Sequence, residues 1–276
     1  MPECDYIWPL EMIDSVRRLC IDHYESDDKS LYDPTDIDEM IVDNWWIKRF
    51  IIHTGGNEAE ALQMLIKCLK WRKEIGLQSI SDNHFPEEIY RIGGLFNYVK
   101  DKNGIPTVYI RLKLVKRLKE VSDLIKLFII YNFYKIDKES HGQGWGLIID
   151  FHGAGLQNCD LDLAKTIVFS LKTYFPASIE YVICADFPWI FKAFWSFIKG
   201  WIPADRKFTI CFTPRSQLNE TIGSDFLPQA LGGNCLKSTT EVPPGCPKFV
   251  DYCVKNLGLT EKVAEKVFSQ YKPLLA

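Results

Sequence analysis

An α/β fold, made of an N-terminal helical lobe followed by a mostly parallel sheet flanked by helices, is what this sequence predicts. Three observations predict it. From Glu11 to about Ile80 apolar residues recur at helical spacing. Beyond Pro86 the texture changes to short β-branched and aromatic runs separated by helical stretches. Strands that alternate with helices need crossover connections, and these make a sheet mostly parallel. A chain of 276 residues with 47% hydrophobic content can bury a sizeable core.

The helical lobe is expected over residues 10–85. It contains VRRLCIDHY, a polar turn SDDKSLYDPTD, the run DIDEMIVDNWWIKRFI, and EAEALQMLIKCLKWRKEIG. Thr54 to Asn57 separates the last two, with Asn57 or the preceding glycines as cap and turn. The sheet unit is expected over 86–236. Its runs LFNYVK and TVYIRLKLV flank Asp101 to Gly104, whose Asn-Gly pair signals a hairpin. An amphipathic helix from Val121 to about Lys138 precedes the strand WGLIIDF, and a helix from Leu161 to Tyr174 precedes the strand EYVICAD. KFTICF is a further strand, and LPQALGG at 227–233 closes the unit. Residues 237–276 read as a proline-rich linker and one helix near Thr260 to Tyr271. No internal repeat or low-complexity segment interrupts this order.

The most informative stretch is Asp186 to Pro203. Its polar side chains Lys192, Ser196 and Lys199 fall within an arc of about 60°, so the helix is apolar almost all round. Such a helix is either a central core helix or a mobile wall, with one side on a greasy pocket and the other on a membrane surface. It is short of the roughly 20 residues of a span and carries two lysines. Asp186, followed by Phe187 and Pro188, reads as its N-cap.

Charge and cysteine usage bound the function. The net charge of −3 hides an asymmetry: residues 1–60 hold 15 acids and 5 bases, net −10, and the remainder carries +7. Nucleic acid is therefore not an expected partner. Nine cysteines without CxxC or CxxH spacing read as free thiols in a reducing compartment. Cys235, Cys246 and Cys253 crowd together without a histidine, so no metal is expected. The N-terminus has neither a basic region nor a continuous apolar run, so a signal peptide is not expected and the protein is expected to be cytoplasmic.

Covalent chemistry finds little support. HGQGWG precedes its strand, whereas a phosphate cradle follows one. Gly153-Ala-Gly155 does follow a strand but has Asn158 where a third glycine is needed, and no GxSxG elbow exists. His152 near Asp150 is the one pair that could do acid/base work, against the plainer reading of a loop histidine bonded to backbone. No catalytic residue, cofactor or enzymatic activity is expected.

The order LKWRKEIG (69–76), WGLIIDFHGAGL, TYFPASIEYVICADFPWIFKAFWSFIKGWIP and LPQALGG resembles the CRAL-TRIO lipid-binding family over about residues 10–235. Within it, DNWWIKRFI, KWRKEI and PWIFKAFWSFIKGWIPAD most resemble the CRAL-TRIO region of motile sperm domain-containing proteins. The resemblance implies an apolar pocket floored by the sheet and covered by a gate helix, residues 187–203, which opens at a membrane to exchange a hydrophobic ligand. Pocket candidates are Phe128 and Tyr131 on the long helix, and Leu147, Ile149 and Phe151 on the strand after it. Val182 and Cys184 join them from the next strand, and Ile190, Phe194, Trp195, Phe197 and Ile198 from the gate. Lys192 and Lys199, with Arg111, Lys113, Lys116, Arg117 and Lys119, are candidates for transient contact with an anionic membrane. Members that bind phosphatidylinositol carry a lysine where this chain has Ala230, and further arginines where it has only Arg49. A less polar lipid is therefore the expected ligand, bound by a monomer peripheral to membranes. The alternative is an interaction module with the same fold and a filled pocket.

Overall fold

The computed structural model describes residues 9–202 and 208–275, so Pro203 and residues 1–8 lie outside it. The chain divides into two compact units, Met1–Ile80 with Leu171–Ser178, and Ser81–Ser170 with Ile179–Ala276.

The first unit is helical. It contains α1 (Leu10–Ser26), α2 (Pro34–Val42), α3 (Asn44–His53) and α4 (Glu58–Glu74). The run DIDEMIVDNWWIKRFI is two helices. Asp43 ends the first, donating its N–H to the Glu39 carbonyl at 2.9 Å, and caps the second, accepting the N–H of Trp45 at 2.9 Å. An aspartate at that position satisfies an orphan donor of a new helix better than it continues the old one. Asn57 caps α4 by accepting the N–H of Glu60. Val16, Met40, Ile47, Phe50, Ile51, Leu65 and Leu69 fill the core. Asp36 and Arg72 are buried beside it as an ion pair of 2.7 Å, with Gln78 donating to the same carboxylate oxygen at 2.6 Å. The indole of Trp71 stacks on Tyr174 at 3.7 Å.

The second unit begins with α5 (Glu87–Ile92), a short helix that sequence periodicity does not announce. Next come β1 (Leu95–Tyr98), β2 (Thr107–Arg111), α6 (Ser122–Ser140), β3 (Trp145–Asp150), α7 (Leu161–Thr173) and β4 (Ile179–Ala185). A 3-10 turn, Trp189–Phe191, leads into α8 (Lys192–Lys199), followed by β5 (Thr209–Thr213), α9 (Leu218–Ile222), α10 (Phe249–Leu257) and α11 (Glu261–Tyr271). The strands form one sheet in the order β1-β2-β3-β4-β5, antiparallel between β1 and β2 and parallel elsewhere. The hairpin turn is held by Asp101, whose carboxylate accepts the N–H groups of Asn103 and Ile105 and the Tyr181 hydroxyl. Tyr181 lies across Gly146, where a Cβ would meet its ring at 2.3 Å, so this close approach requires glycine. LKLV, read as part of a strand, instead forms a 3-10 turn at Leu112–Leu114. The segment 237–276 carries two helices, because Gly258 in the left-handed region ends α10 before Thr260 caps α11.

Alternation assigns the two faces of the sheet. The first face carries Trp145, Leu147, Ile149, Val182, Cys184 and Ile210. Helix α6 covers its β1–β3 side, with Phe133 on Trp145 at 5.1 Å. The second face carries Tyr109, Ile148, Ile183 and Ala185, covered by Leu218, Ile222, Leu227 and Leu231.

Breaking the buried pair of the helical unit leaves an unneutralised guanidinium. Asp36→Ala is expected to lower unfolding free energy by about 3 kcal/mol or more. Urea denaturation followed by circular dichroism measures this, and a loss under about 1 kcal/mol would contradict the role of the pair.

Candidate functional site

The first face of β3–β5 and the segment after β4 build an aromatic and aliphatic site. Ile149, Phe151, Val182, Cys184, Ile190 and Phe194 converge in one cluster, joined by Leu112, Phe187, Phe191 and Ile210. Phe187 is its hub, with ring centroids 4.9 Å from Phe151, 6.1 Å from Phe191, 6.4 Å from Trp195 and 5.1 Å from Phe212. Phe187 and Phe212 are not among the pocket candidates read from the sequence, although the alternation of KFTICF places Phe212 on the same face as Ile210. Leu147 is buried on that face beneath the sheet's covering, at 1% exposure.

Phe128 and Tyr131 point elsewhere. Both are buried on α6 and pack against Phe85 at 5.0 and 5.3 Å, and Phe128 also meets Tyr90. Phe128 lines a separate apolar recess of about 70 Å³ with Ile89, Leu95, Ile110, Leu114 and Tyr271. A helix apolar on several sides does not reveal from sequence which side faces which neighbour.

The cover over the cluster is thin. No residue of α8 is buried, which rules out the central core helix. Phe194, Trp195 and Ile198 are half-buried, whereas Phe197 is 63% exposed and Trp189, on the turn before α8, is 77% exposed. Beneath them the sheet itself is open. Val182 of β4 is only half-buried although β4 is an interior strand, and Phe212 of the edge strand β5 is 48% exposed. Interior strands of parallel sheets are ordinarily covered on both faces.

The cationic candidates lie in two places. Arg117, Lys119, Lys192 and Lys199 are exposed and make no ion pair among the described residues. Lys113 and Lys116 are half-buried, the latter on the rim of the small recess. Arg111 ends β2 opposite Asp150 and points to the second face. Burial pulls its guanidinium below the usual arginine range, and the Asp150 charge offsets part of that.

The carboxyl ends of β3, β4 and β5 frame a polar recess of about 520 Å³ on the second face. It is lined by His152, Asp186, Arg215, Ser216, Asn219 and Gln229, with the turn Ala230–Gly232. His152 does not pair with Asp150 through its ring. Asp150 accepts the backbone N–H of His152 at 3.1 Å, and the imidazole Nδ1 instead meets Asp186 Oδ2 at 2.9 Å. Asp186 is not an N-cap either: its other oxygen accepts the N–H of Arg215 at 2.8 Å, and its φ is +51°. The Arg215 N–H, then the His152 contact, hold its carboxyl below the usual carboxylate range. The Arg215 guanidinium is engaged with the carbonyls of Ala230 and Leu231 and lies 3.8 Å from Asp150. The recess therefore holds balanced charge. The His152 ring has a carboxylate as its hydrogen-bond partner, and the contact ties the loop after β3 to the end of β4.

The profile of the CRAL/TRIO domain matches residues 89–233, just over half of the chain and all five strands. The chain belongs to the CRAL/TRIO domain family. It is 25% identical over 227 residues to the Sec14 cytosolic factor of Schizosaccharomyces pombe, covering 74% of this chain and 78% of that protein. It is 28% identical over 137 residues to the phosphatidylinositol transfer protein CSR1 of Eremothecium gossypii, covering 48% of this chain but 31% of that protein. The crystal structure of Sfh5 superposes with a TM-score of 0.56 over 95% of this chain and 97% of that one, at 15% identity, a likeness of fold. These Sec14-like matches lend no support to a special likeness to motile sperm domain-containing proteins. No described helix is long and apolar enough to cross a membrane.

Two cysteines on neighbouring strands probe the site. Burial pushes the Cys184 thiol up to about 12, whereas Cys211 on β5 is exposed. The thiolate is the reacting species. At pH 8, iodoacetamide is expected to label Cys211 in the native protein and Cys184 only after unfolding, as read by peptide mass spectrometry. Equal labelling rates would mean that the cluster around Cys184 is open to water.

Proposed function

We propose that this CRAL/TRIO protein is a non-enzymatic lipid carrier or sensor. The ligand sits between the first face of β3–β5 and a gate formed by Trp189 to Ile202. What carries this reading is α8: a helix with no buried residue spans a half-covered apolar sheet and turns Phe197 outward, with Trp189 exposed at its start. In water such a helix is poorly satisfied on both sides. With a lipid below and a bilayer above, both sides are covered.

The physical logic is avoidance of water. A two-chain lipid has roughly 30 methylenes, and at about 0.8 kcal/mol each its full hydration costs about 25 kcal/mol. A carrier that touches the bilayer offers the lipid one apolar medium in exchange for another. Lys192 and Lys199 on the gate, with Lys113, Lys116, Arg117 and Lys119 in the loop after β2, hold such a surface at about 1 kcal/mol per cation. Leu112 of that loop packs in the gate cluster, so loop and gate share one region of the surface. The protein acts as a monomer in the cytoplasm, transiently peripheral to membranes.

The ligand is less polar than phosphatidylinositol: a neutral lipid, a sterol-like molecule or a fatty acyl chain. Ala230 provides no cation. Arg49 is buried and donates to the Pro176 carbonyl and the Ser178 hydroxyl, and Arg215 is tied to carbonyls of the LPQALGG turn. The printed name of CSR1, a phosphatidylinositol transfer protein, points the other way for that relative. A filled-pocket interaction module is the second reading, favoured by the tight burial of Phe191 and Cys184 in the middle of the cluster.

Native mass spectrometry of the purified chain, followed by organic extraction, is expected to show a stoichiometric lipid adduct with a weakly polar headgroup. Preferential recovery of phosphatidylinositol would overturn the ligand class. Absence of any adduct, with no uptake of a fluorescent acyl probe, would leave the interaction module. Trp189→Ala with Phe197→Ala is expected to slow probe transfer between anionic vesicles by roughly tenfold or more, because each side chain contributes about 1.5–3 kcal/mol on burial. Added salt is expected to slow the wild-type protein as well.

A further inference from the structure

The gate's departure point is unlike the rest of it. At Asp186 the chain leaves β4 and crosses the carboxyl edge of the sheet, from a polar recess on the second face to the aromatic cluster on the first. Residue 186 holds three polar contacts at once. Its N–H donates to the Thr213 carbonyl at 3.0 Å, one carboxylate oxygen accepts the Arg215 N–H at 2.8 Å, and the other meets His152 Nδ1 at 2.9 Å. It does so at φ +51°, a left-handed conformation that a residue with a Cβ keeps only when its surroundings over-determine it. Immediately downstream stands Phe187, the hub of the gate cluster, and then Pro188, whose ring stiffens the next step. Beyond these two residues the gate has one buried side chain, Phe191, and α8 has none.

We propose that Asp186 is the positioning residue of the gate, and that its contact with His152 makes the root of the gate a proton-sensitive latch that tightens as the imidazole becomes charged. The proposal rests on the gated lipid-carrier reading, although the latch itself is a local property of residues 150–191. Histidine as a residue type changes charge between about pH 5 and 8. Protonation there places a full positive charge against the Asp186 carboxylate. Asp186 stays ionised across that range, because its carboxyl is held below the usual value and loses its charge only at more acid pH. The other charged groups around the pair are few. Asp150 accepts the backbone N–H of His152 from β3, the Arg215 guanidinium stands 3.8 Å from Asp150, and the aliphatic stem of Lys113 lies beside Gly153. Arg111 faces Asp150 in register from β2. Ser216, Asn219 and Gln229, which line the rest of the recess, carry no charge.

The arrangement predicts opposite pH responses for two conservative variants. In Asp186→Asn the amide oxygen keeps the Arg215 N–H and tolerates the left-handed backbone, while the amide NH2 is left facing His152. A neutral imidazole nitrogen accepts from it, and a protonated one opposes it. In His152→Ala the latch loses its imidazole partner, and His152 is exposed enough for the fold to survive its removal.

The experiment is hydrogen–deuterium exchange of the full chain at pH 5.5 and 8.0, corrected for intrinsic exchange and read over peptides covering 187–199. The wild-type gate is expected to open about two- to threefold less at pH 5.5 than at pH 8.0, the size of a partly exposed ion pair. Asp186→Asn is expected to reverse the sign, and His152→Ala to abolish the difference. The same pH effect in all three proteins, or no effect in the wild type, overturns the latch. Uptake of a fluorescent acyl probe from neutral vesicles is measured in parallel, and wild-type uptake is expected to be slower at pH 5.5. Sign reversal in exchange without any lipid uptake would leave the latch standing and remove the carrier reading. Lipid uptake with identical exchange in all three proteins would do the opposite.

Discussion

A parallel sheet must cover both faces of its interior strands, and here one interior strand is covered on one face only in part. The second face is closed by Leu218, Ile222, Leu227 and Leu231, and α6 closes the β1–β3 side of the first. What remains is the area over β4 and β5, where Val182, Ile210 and Phe212 are half-buried or exposed. Among the described residues, α8 and the turn before it are the main cover of this area, with side chains that are themselves mostly half in water or exposed. The apolar content of that helix, the cations near it and the cluster around Phe187 all follow from one unsatisfied surface. Hydrophobic burial is non-directional and proportional to area, so added apolar cover at this place lowers the free energy whatever its source.

The rigid parts of the molecule set where this surface can give. Asp101 locks the hairpin and holds Tyr181 across Gly146, fixing β3 against β4. Arg215 ties the end of β5 to the LPQALGG turn. Between these anchors the chain departs at Asp186 with hydrogen bonds on one face and aromatic packing on the other. A change at either contact acts on the same few backbone torsions.

Most of the fold is legible in the sequence because its signals are local. The Asn-Gly turn, the caps Asn57 and Thr260, and the apolar runs of β3, β4 and β5 each state their own element. The misses are places where a single residue serves two neighbours. Asp43 ends one helix and starts the next, so the apolar periodicity of residues 36–51 reads as one helix. Helix α5 has 6 residues and α9 has 5, too short to show a period. The candidate site was legible as a composition of greasy residues and not as a geometry. Residues 149, 151, 182, 184, 190 and 194 come together because strand alternation and the hub at Phe187 bring them together. Phe128 and Tyr131 do not, because α6 offers apolar residues to more than one neighbour.

The placement of the His152 ring on Asp186 and not on Asp150 has a physical cause. In an extended strand, residues 150 and 152 would point the same way, and proximity in sequence would pair them. The strand ends at Asp150, however, and the carboxylate of Asp150 takes the His152 backbone N–H in a local turn, while Gly153 at φ +71° redirects the chain. The imidazole is thereby swung off β3 and onto Asp186. An aspartate that merely capped a helix would have no reason to sit in the left-handed region with a histidine against it. In this chain the carboxylate of Asp186 joins the loop after β3, the end of β4 and the start of the segment after β5, so three strand ends meet on one side chain. The segment after β4 is thus rooted at a point that the sheet holds by charge and hydrogen bonds, while its own length is held by little more than the apolar surface it covers.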